Sequence, residues 1–196
     1  VGINSGAMMA SADRIEITID GRGGHGAHPH LAVDPVLVAG HIITAAQSVV
    51  ARNVSPMDHA VVSLCALQAG DVDAFSVIPR QARLVGTVRA FRRELQDTIE
   101  ARLGTLVQSI ASGFGATATL DYQRSYPATV NSPAEAKFMA DTAAQLVGED
   151  RVVRDLQPSM GAEDFSFMLQ KRPGAYLRLG QGGGGGCFLH SPRYDF

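Results

Sequence analysis

A chain of 196 residues, 45% hydrophobic and 18% charged, has enough apolar material for a folded core and too little charge for a disordered one. Its 17 basic and 19 acidic residues leave a net charge of −2, which argues against a nucleic-acid binder held by phosphate contacts. Cys65 and Cys187 are too few for a disulfide framework and lack zinc-knuckle spacing, and apolar runs such as Val36 to Ile43, interrupted by His41, are too short for a transmembrane segment.

The chain opens Val-Gly-Ile-Asn, neither a Met nor a signal peptide, and stops at Arg193-Tyr194-Asp195-Phe196 straight after a tightly patterned loop, so both ends are expected to be cuts in a longer sequence. Residues 14 to 20 alternate, with Ile15, Ile17 and Ile19 on one side and Arg14, Glu16, Thr18 and Asp20 on the other, the pattern of a half-buried strand. After a Gly- and His-rich loop, Asp34-Pro35 supplies an N-cap and a first-turn proline for a helix running to about Arg52. Two β-rich runs follow, about Ala60 to Gln68 and Gln81 to Phe91, with Cys65 expected to be buried in the first. A second helix is expected from Arg93 to Ser112, with the stripe Leu95, Ile99, Leu103, Leu106 and Ile110 and Gly113 just past its end. Ala116 to Tyr122 alternates as a fourth strand.

The order strand, helix, strand, strand, helix, strand over residues 13–124 predicts an α+β, ferredoxin-like module in which two amphipathic helices cover one face of a four-stranded sheet. Pro127 marks a boundary. Beyond it a helix from Pro133 to about Leu146, a short β-like run at Arg151 to Val153, a loop into a short helix at Pro158 to Phe165 and a strand at Ala175 to Leu179 predict a piece of an incomplete α/β sheet. The run Gly182 to Gly186 lacks the Gly-Lys-Ser/Thr ending of a phosphate loop.

Four places can carry chemistry. In Gly21-Arg22-Gly23-Gly24-His25-Gly26-Ala27-His28-Pro29-His30, histidines at i, i+3 and i+5 either hold a metal or act on substrate, or are solvated residues of a turn. Glu163 and Asp164, at a loop-to-helix junction, serve as ligands, as acid/base groups, or as charges at a helix start. His190 follows a strand and a glycine loop, as a ligand or as a structural histidine. Arg89, on the polar face of a strand, either grips a carboxylate with its planar fork or is simply solvated.

Four segments together resemble the aminoacylase, hippurate hydrolase and indole-acetyl-amino-acid hydrolase group of dinuclear metallopeptidases. They are Gly21 to His30 with Val33-Asp34-Pro35; Phe75-Ser76-Val77-Ile78-Pro79 with Gly86-Thr87-Val88-Arg89-Ala90-Phe91; Met160-Gly161-Ala162-Glu163-Asp164-Phe165; and Leu189-His190-Ser191-Pro192-Arg193-Tyr194-Asp195-Phe196. The resemblance implies a two-metal catalytic α/β domain interrupted by a ferredoxin-like lid that also makes a homodimer. Residues 13–124 would be the lid, and residues 1–12 and 125–196 segments of the incomplete catalytic domain.

By the same resemblance, His25 is the lid histidine that reaches a neighbouring subunit's active site and stabilises the tetrahedral oxyanion, where a donor strengthens as charge develops. Arg89 binds the substrate carboxylate, His190 is the last metal ligand, and Glu163 and Asp164 line the metal pocket or bind substrate. Ser76 stands where the family usually has an Asn whose amide holds substrate. The other ligands of two divalent ions, zinc or manganese, and the general-base Glu would lie upstream, so that this chain carries at most one ligand and is inactive alone. The implied whole is a cytoplasmic amidohydrolase acting on small N-acyl amino acids or peptides, with neither nucleic acid nor membrane as a partner. A non-catalytic ferredoxin-like dimerisation or binding module, and a dipeptidase or carboxypeptidase of the same clan, are the alternatives.

Overall fold

Apolar alternation and capping become the following elements in the computed structural model, which describes residues 1–180, 182, 187 and 190–194. In chain order they are β1 (Gly6–Met9), β2 (Ala12–Asp20), β3 (Gly24–His25), α1 (Pro35–Asn53), β4 (Ala60–Ala69), β5 (Val77–Ile78), β6 (Gln81–Ala90), α2 (Arg93–Gly113), β7 (Thr117–Tyr126), β8 (Thr129–Asn131), α3 (Pro133–Val147) and α4 (Phe165–Leu169). The chain divides into two compact units, one of Ala10–Ala128 with Met160–Ala162, the other of Val1–Met9, Thr129–Ser159 and Glu163–Phe196.

In the first unit, β4, β6, β2 and β7 lie side by side in that order, and every neighbouring pair is antiparallel. Ile15, Ile17 and Ile19 are fully buried, and Ala82, Leu84 and Val88 lie on the same side of β6. Both helices cover that face. Asp34 caps α1 by accepting the Val36 N–H at 2.8 Å, as the sequence predicts, and α1 buries Val38, Ala39, Ile42, Ala46 and Val49. With 19 residues and a mean hydropathy of 1.2, α1 is long and apolar enough to cross a membrane. Its apolar row instead packs on the sheet core.

The buried row of α2 departs from the expected stripe after Leu103, continuing to Val107 and Ala111 while Leu106 and Ile110 are only partly covered. The row steps by four throughout, along the inclined ridge a helix presents to its neighbour. α2 also runs through Gly113, because the left-handed turn falls on Gly115 at φ +76°.

Cys65 is exposed, correcting the expectation of a buried strand residue. It is the extra residue of a β-bulge, since the β4–β6 register passes from Leu64 opposite Gly86 to Ala66 opposite Val85. The bulge brings the chains so close that a Cβ on Gly86 would sit 2.1 Å from the Ser63 carbonyl oxygen. Gly86→Ala is therefore expected to destabilise the protein by about 2–4 kcal/mol, measured by urea unfolding, whereas Gly113→Ala, whose Cβ would meet nothing, should not.

One carboxylate lies inside this core. Asp13 shares the inward side of β2 with the isoleucines and is 2% exposed. It accepts two bonds from Gln96 Nε2, at 3.0 and 2.7 Å, and one from the Tyr122 hydroxyl at 2.7 Å. Burial, then the hydrogen bond and charge of Asp13, push the Tyr122 phenol well above its ordinary range.

In the second unit β1 and β8 form an antiparallel pair. Ile3, Ala136, Ala140, Ala143 and Val152 make its core. The strands expected at Arg151 to Val153 and Ala175 to Leu179 reduce to single bridges, because among the described residues both runs pair only with the short segment around Gly2. Gly2 and Arg178 exchange two backbone bonds at 2.8 Å, while Ile3 N–H reaches the Val153 carbonyl at 2.9 Å. The buried Asn131 ties this region together, donating to the Asn4 and Tyr176 carbonyls and accepting from the Tyr176 N–H. Gly183 to Gly186 of the glycine run, and Leu189, Asp195 and Phe196 of the last motif, lie outside the described residues.

Candidate active site

The loop bearing His25 is held along its whole length. Gly21 N–H bonds the Arg80 carbonyl at 2.9 Å, and Arg22 and Val33 exchange backbone bonds at 2.9 and 2.8 Å. Arg22 Nε donates to the Leu31 carbonyl at 3.0 Å. Between these anchors, β3 and β5 form a two-residue antiparallel ribbon with Gly24 opposite Ile78 and His25 opposite Val77. Gly26 N–H closes the ribbon on the Ser76 carbonyl at 2.7 Å, so near that a Cβ on Gly26 would stand 3.0 Å from that oxygen. The Gly-Gly-His-Gly spacing is thus what lets the two backbones meet. The structure in this way unites His25 and Ser76, which lie fifty-one residues apart in sequence.

His25 is exposed. Its Nδ1 accepts the Ala27 N–H at 3.0 Å. A ring nitrogen that accepts carries no proton, so the neutral imidazole is the Nε2–H tautomer, with one donor left for an external oxygen. His28 and His30 are exposed, and the three rings step along the loop with centroids 5.5 and 6.1 Å apart.

Arg89 lies on β6 opposite Val61, half-buried on the side of the sheet away from the helices. Among the described residues its guanidinium makes no ion pair, in contrast to Arg83 on the same side, which clasps Glu16 and lowers that carboxyl's pKa. No hydrogen bond links Arg89 to the β3–β5 ribbon among the described residues.

In the second unit, Glu163 accepts the Tyr176 hydroxyl at 3.3 Å and the Asp164 N–H at 3.1 Å. Burial, followed by the Glu163 charge, raises the pKa of the Tyr176 phenol. Tyr176 is a partner that the sequence did not suggest, since no spacing rule links a loop carboxylate to a tyrosine thirteen residues later. Asp164 occupies the N-cap position of α4, but its side chain makes no capping bond there. His190 is exposed and, at φ +70°, is the one non-glycine residue with positive φ among the described residues. Such backbone is uncommon for a side-chain-bearing residue and recurs at functional sites.

Among the described residues no three His, Cys, Asp or Glu side chains converge as metal ligands. The donor set of the described residues therefore does not fit a two-metal centre by itself. Two open clefts, of about 630 Å³ around α4 and about 500 Å³ beside α1, are lined by none of His25, Ser76, Arg89, Glu163, Asp164 and His190.

A family model described as Peptidase family M20/M25/M40 matches residues 4–196. The N-acetylcysteine deacetylase of Bacillus subtilis is 38% identical over 183 residues, 93% of this chain and 47% of that protein. The hippurate hydrolase of Campylobacter jejuni is 35% identical over 194 residues, 99% of this chain and 50% of that protein. Among solved structures, the YXEP protein of Bacillus subtilis, a dinuclear metal-binding peptidase of the M20 family, superposes with a TM-score of 0.70 at 32% identity, covering 88% of this chain and 42% of that one. The mixed α/β fold, with four α-helices among the described residues, is thus the fold of such peptidases, and the chain spans about half the length of the curated relatives it matches.

Proposed function

The chain belongs to peptidase family M20/M25/M40, and from that premise we propose that it is part of a metal-dependent amidohydrolase that cleaves the amide bond of N-acyl amino acids. The observation that carries this reading is the β3–β5 ribbon: an exposed imidazole whose Nδ1 accepts a backbone N–H and whose Nε2 has no hydrogen-bond partner among the described residues, in the ribbon that Ser76 closes. In this proposal Nε2–H donates to the substrate's carbonyl oxygen and strengthens its bond as negative charge grows there. Arg89, with no ion pair of its own among the described residues, grips the substrate carboxylate. Ser76 contributes a hydroxyl where the related enzymes carry an amide, and Glu163 and Asp164 serve as carboxylates that bind substrate.

The rest of the proposal concerns the whole protein. Residues 13–124 form a ferredoxin-like lid that makes a homodimer, an assignment supported by the antiparallel order of β4, β6, β2 and β7 with two helices on one face. Residues 1–12 and 125–196 belong to the catalytic domain. Two divalent ions, zinc or manganese, are its cofactors, and this chain contributes His190 toward them. The enzyme works in the cytoplasm.

The test is a panel of amides given to the full-length protein and to the 196-residue chain, each with added zinc or manganese. The full-length protein is expected to hydrolyse hippurate and N-acetyl amino acids, and the short chain none. Hydrolysis of dipeptides alone would move the reading to the peptidases of the family. Turnover by the short chain would overturn the claim that its metal ligands are incomplete.

A further inference from the structure

His25 is one half of a cross-strand pair. In an antiparallel ribbon, directly opposed residues project from the same face with Cβ atoms about 4.5–5.5 Å apart. The residue opposite His25 is Val77, and the other pair, Gly24 with Ile78, belongs to the opposite face. That opposite face turns inward, since Ile78 is half-buried and a Cβ on Gly24 would touch Ala32 at 3.1 Å. The face carrying His25 turns outward, and there Val77 is 59% exposed. A β-branched apolar side chain, stiff at χ1, thus stands exposed on the same face as the His25 imidazole and directly opposite it.

We propose that Val77 is a specificity-determining residue: it packs against the apolar acyl group of the substrate whose carbonyl oxygen His25 binds. This rests on the reading of His25 given above. A carbonyl carbon carries two substituents besides its oxygen. The amino-acid side of the amide ends in a carboxylate, for which Ser76 and Arg89 offer polar partners, so the substituent left for an aliphatic neighbour is the acyl chain. The ribbon moves as one piece because backbone bonds anchor it at Gly21, Arg22 and Gly26. Val77 therefore accompanies His25 into whichever active site the imidazole serves, its own subunit's or a neighbour's.

The experiment compares kcat/KM of the full-length protein and its Val77→Ala and Val77→Thr variants on N-acetyl-, N-hexanoyl- and N-benzoyl-glycine. Both variants are expected to lose about 5- to 15-fold on the hexanoyl and benzoyl substrates, the worth of one or two methyl contacts, and less than about twofold on the acetyl one. Val77→Thr keeps the shape of the side chain, and Val72→Ala, at a residue 93% exposed and outside the ribbon, serves as a surface control. Equal losses on all three substrates, or no loss on any, would overturn the acyl contact. If His25→Ala abolishes turnover while the Val77 variants fail to discriminate, the acyl contact alone is wrong. If the wild-type protein hydrolyses none of these amides, the reading of His25 is overturned and the acyl contact with it.

Discussion

His25→Ala in the full-length protein is expected to reduce turnover by about 10²–10³-fold, the usual cost of removing one donor to a developing oxyanion. The loss should appear in kcat rather than KM, because the ground-state carbonyl carries little charge and the bond matters most in the transition state. Folding should not change. The imidazole is exposed, its Nδ1 accepts only the Ala27 backbone N–H among the described residues, and the ribbon is held by backbone groups that the substitution leaves in place. Steady-state kinetics with a thermal melt of each variant checks this. A variant with near-normal kcat would remove His25 from the reaction, and one that melts early would make its role structural. His28→Ala serves as a companion, since among the described residues no backbone bond to its ring fixes a tautomer, and it should retain most of the activity.

The second large effect concerns stability. Asp13→Ala is expected to destabilise the four-stranded unit by about 3 kcal/mol, because it strips the acceptor from the Gln96 amide and the Tyr122 hydroxyl inside the core. For a unit of this size that corresponds to a fall of roughly 10 °C in Tm, seen by calorimetry or circular dichroism. Asp13→Asn keeps one carbonyl acceptor and should lose less. Phe in place of Tyr122 removes one donor while leaving Gln96 paired, and should be milder than Asp13→Ala. A Tm for Asp13→Ala within about 2 °C of wild type would show that water relieves the stranded groups, and the buried network would then contribute little.

The two halves of the molecule were unequally legible. In the four-stranded unit, Ile15, Ile17 and Ile19, the Asp34-Pro35 cap and the apolar row of α2 are local signals that local physics obeys: alternation makes a strand with a buried side, and a cap with a proline starts a helix. The places where that unit departs from expectation involve residues whose fate depends on a distant strand. Cys65 is exposed because the register slips between Leu64 opposite Gly86 and Ala66 opposite Val85 and leaves it as the extra residue of a bulge, and Asp13 is buried because Gln96 and Tyr122 arrive to hold it. In the second unit the runs at Arg151 to Val153 and Ala175 to Leu179 have strand-like composition, yet among the described residues each finds only one bridging partner, at Gly2. A strand exists only where a neighbour accepts its hydrogen bonds, and composition cannot supply the neighbour.

The candidate site divides in the same way. The motifs around His25, Arg89, Glu163 and His190 were readable as letters, and together they carried the resemblance that the family match bears out. Their sequence also determined the order of strands and helices and the inward faces, because periodicity and capping act over a few residues. Only the tertiary structure decided that Ser76 and Val77 stand against His25, that the Ala27 N–H takes Nδ1 and leaves Nε2–H free, and that Tyr176 reaches Glu163. Those are contacts across loops of ten to fifty residues or hydrogen-bond choices within a turn, and they are settled when the backbones close on one another.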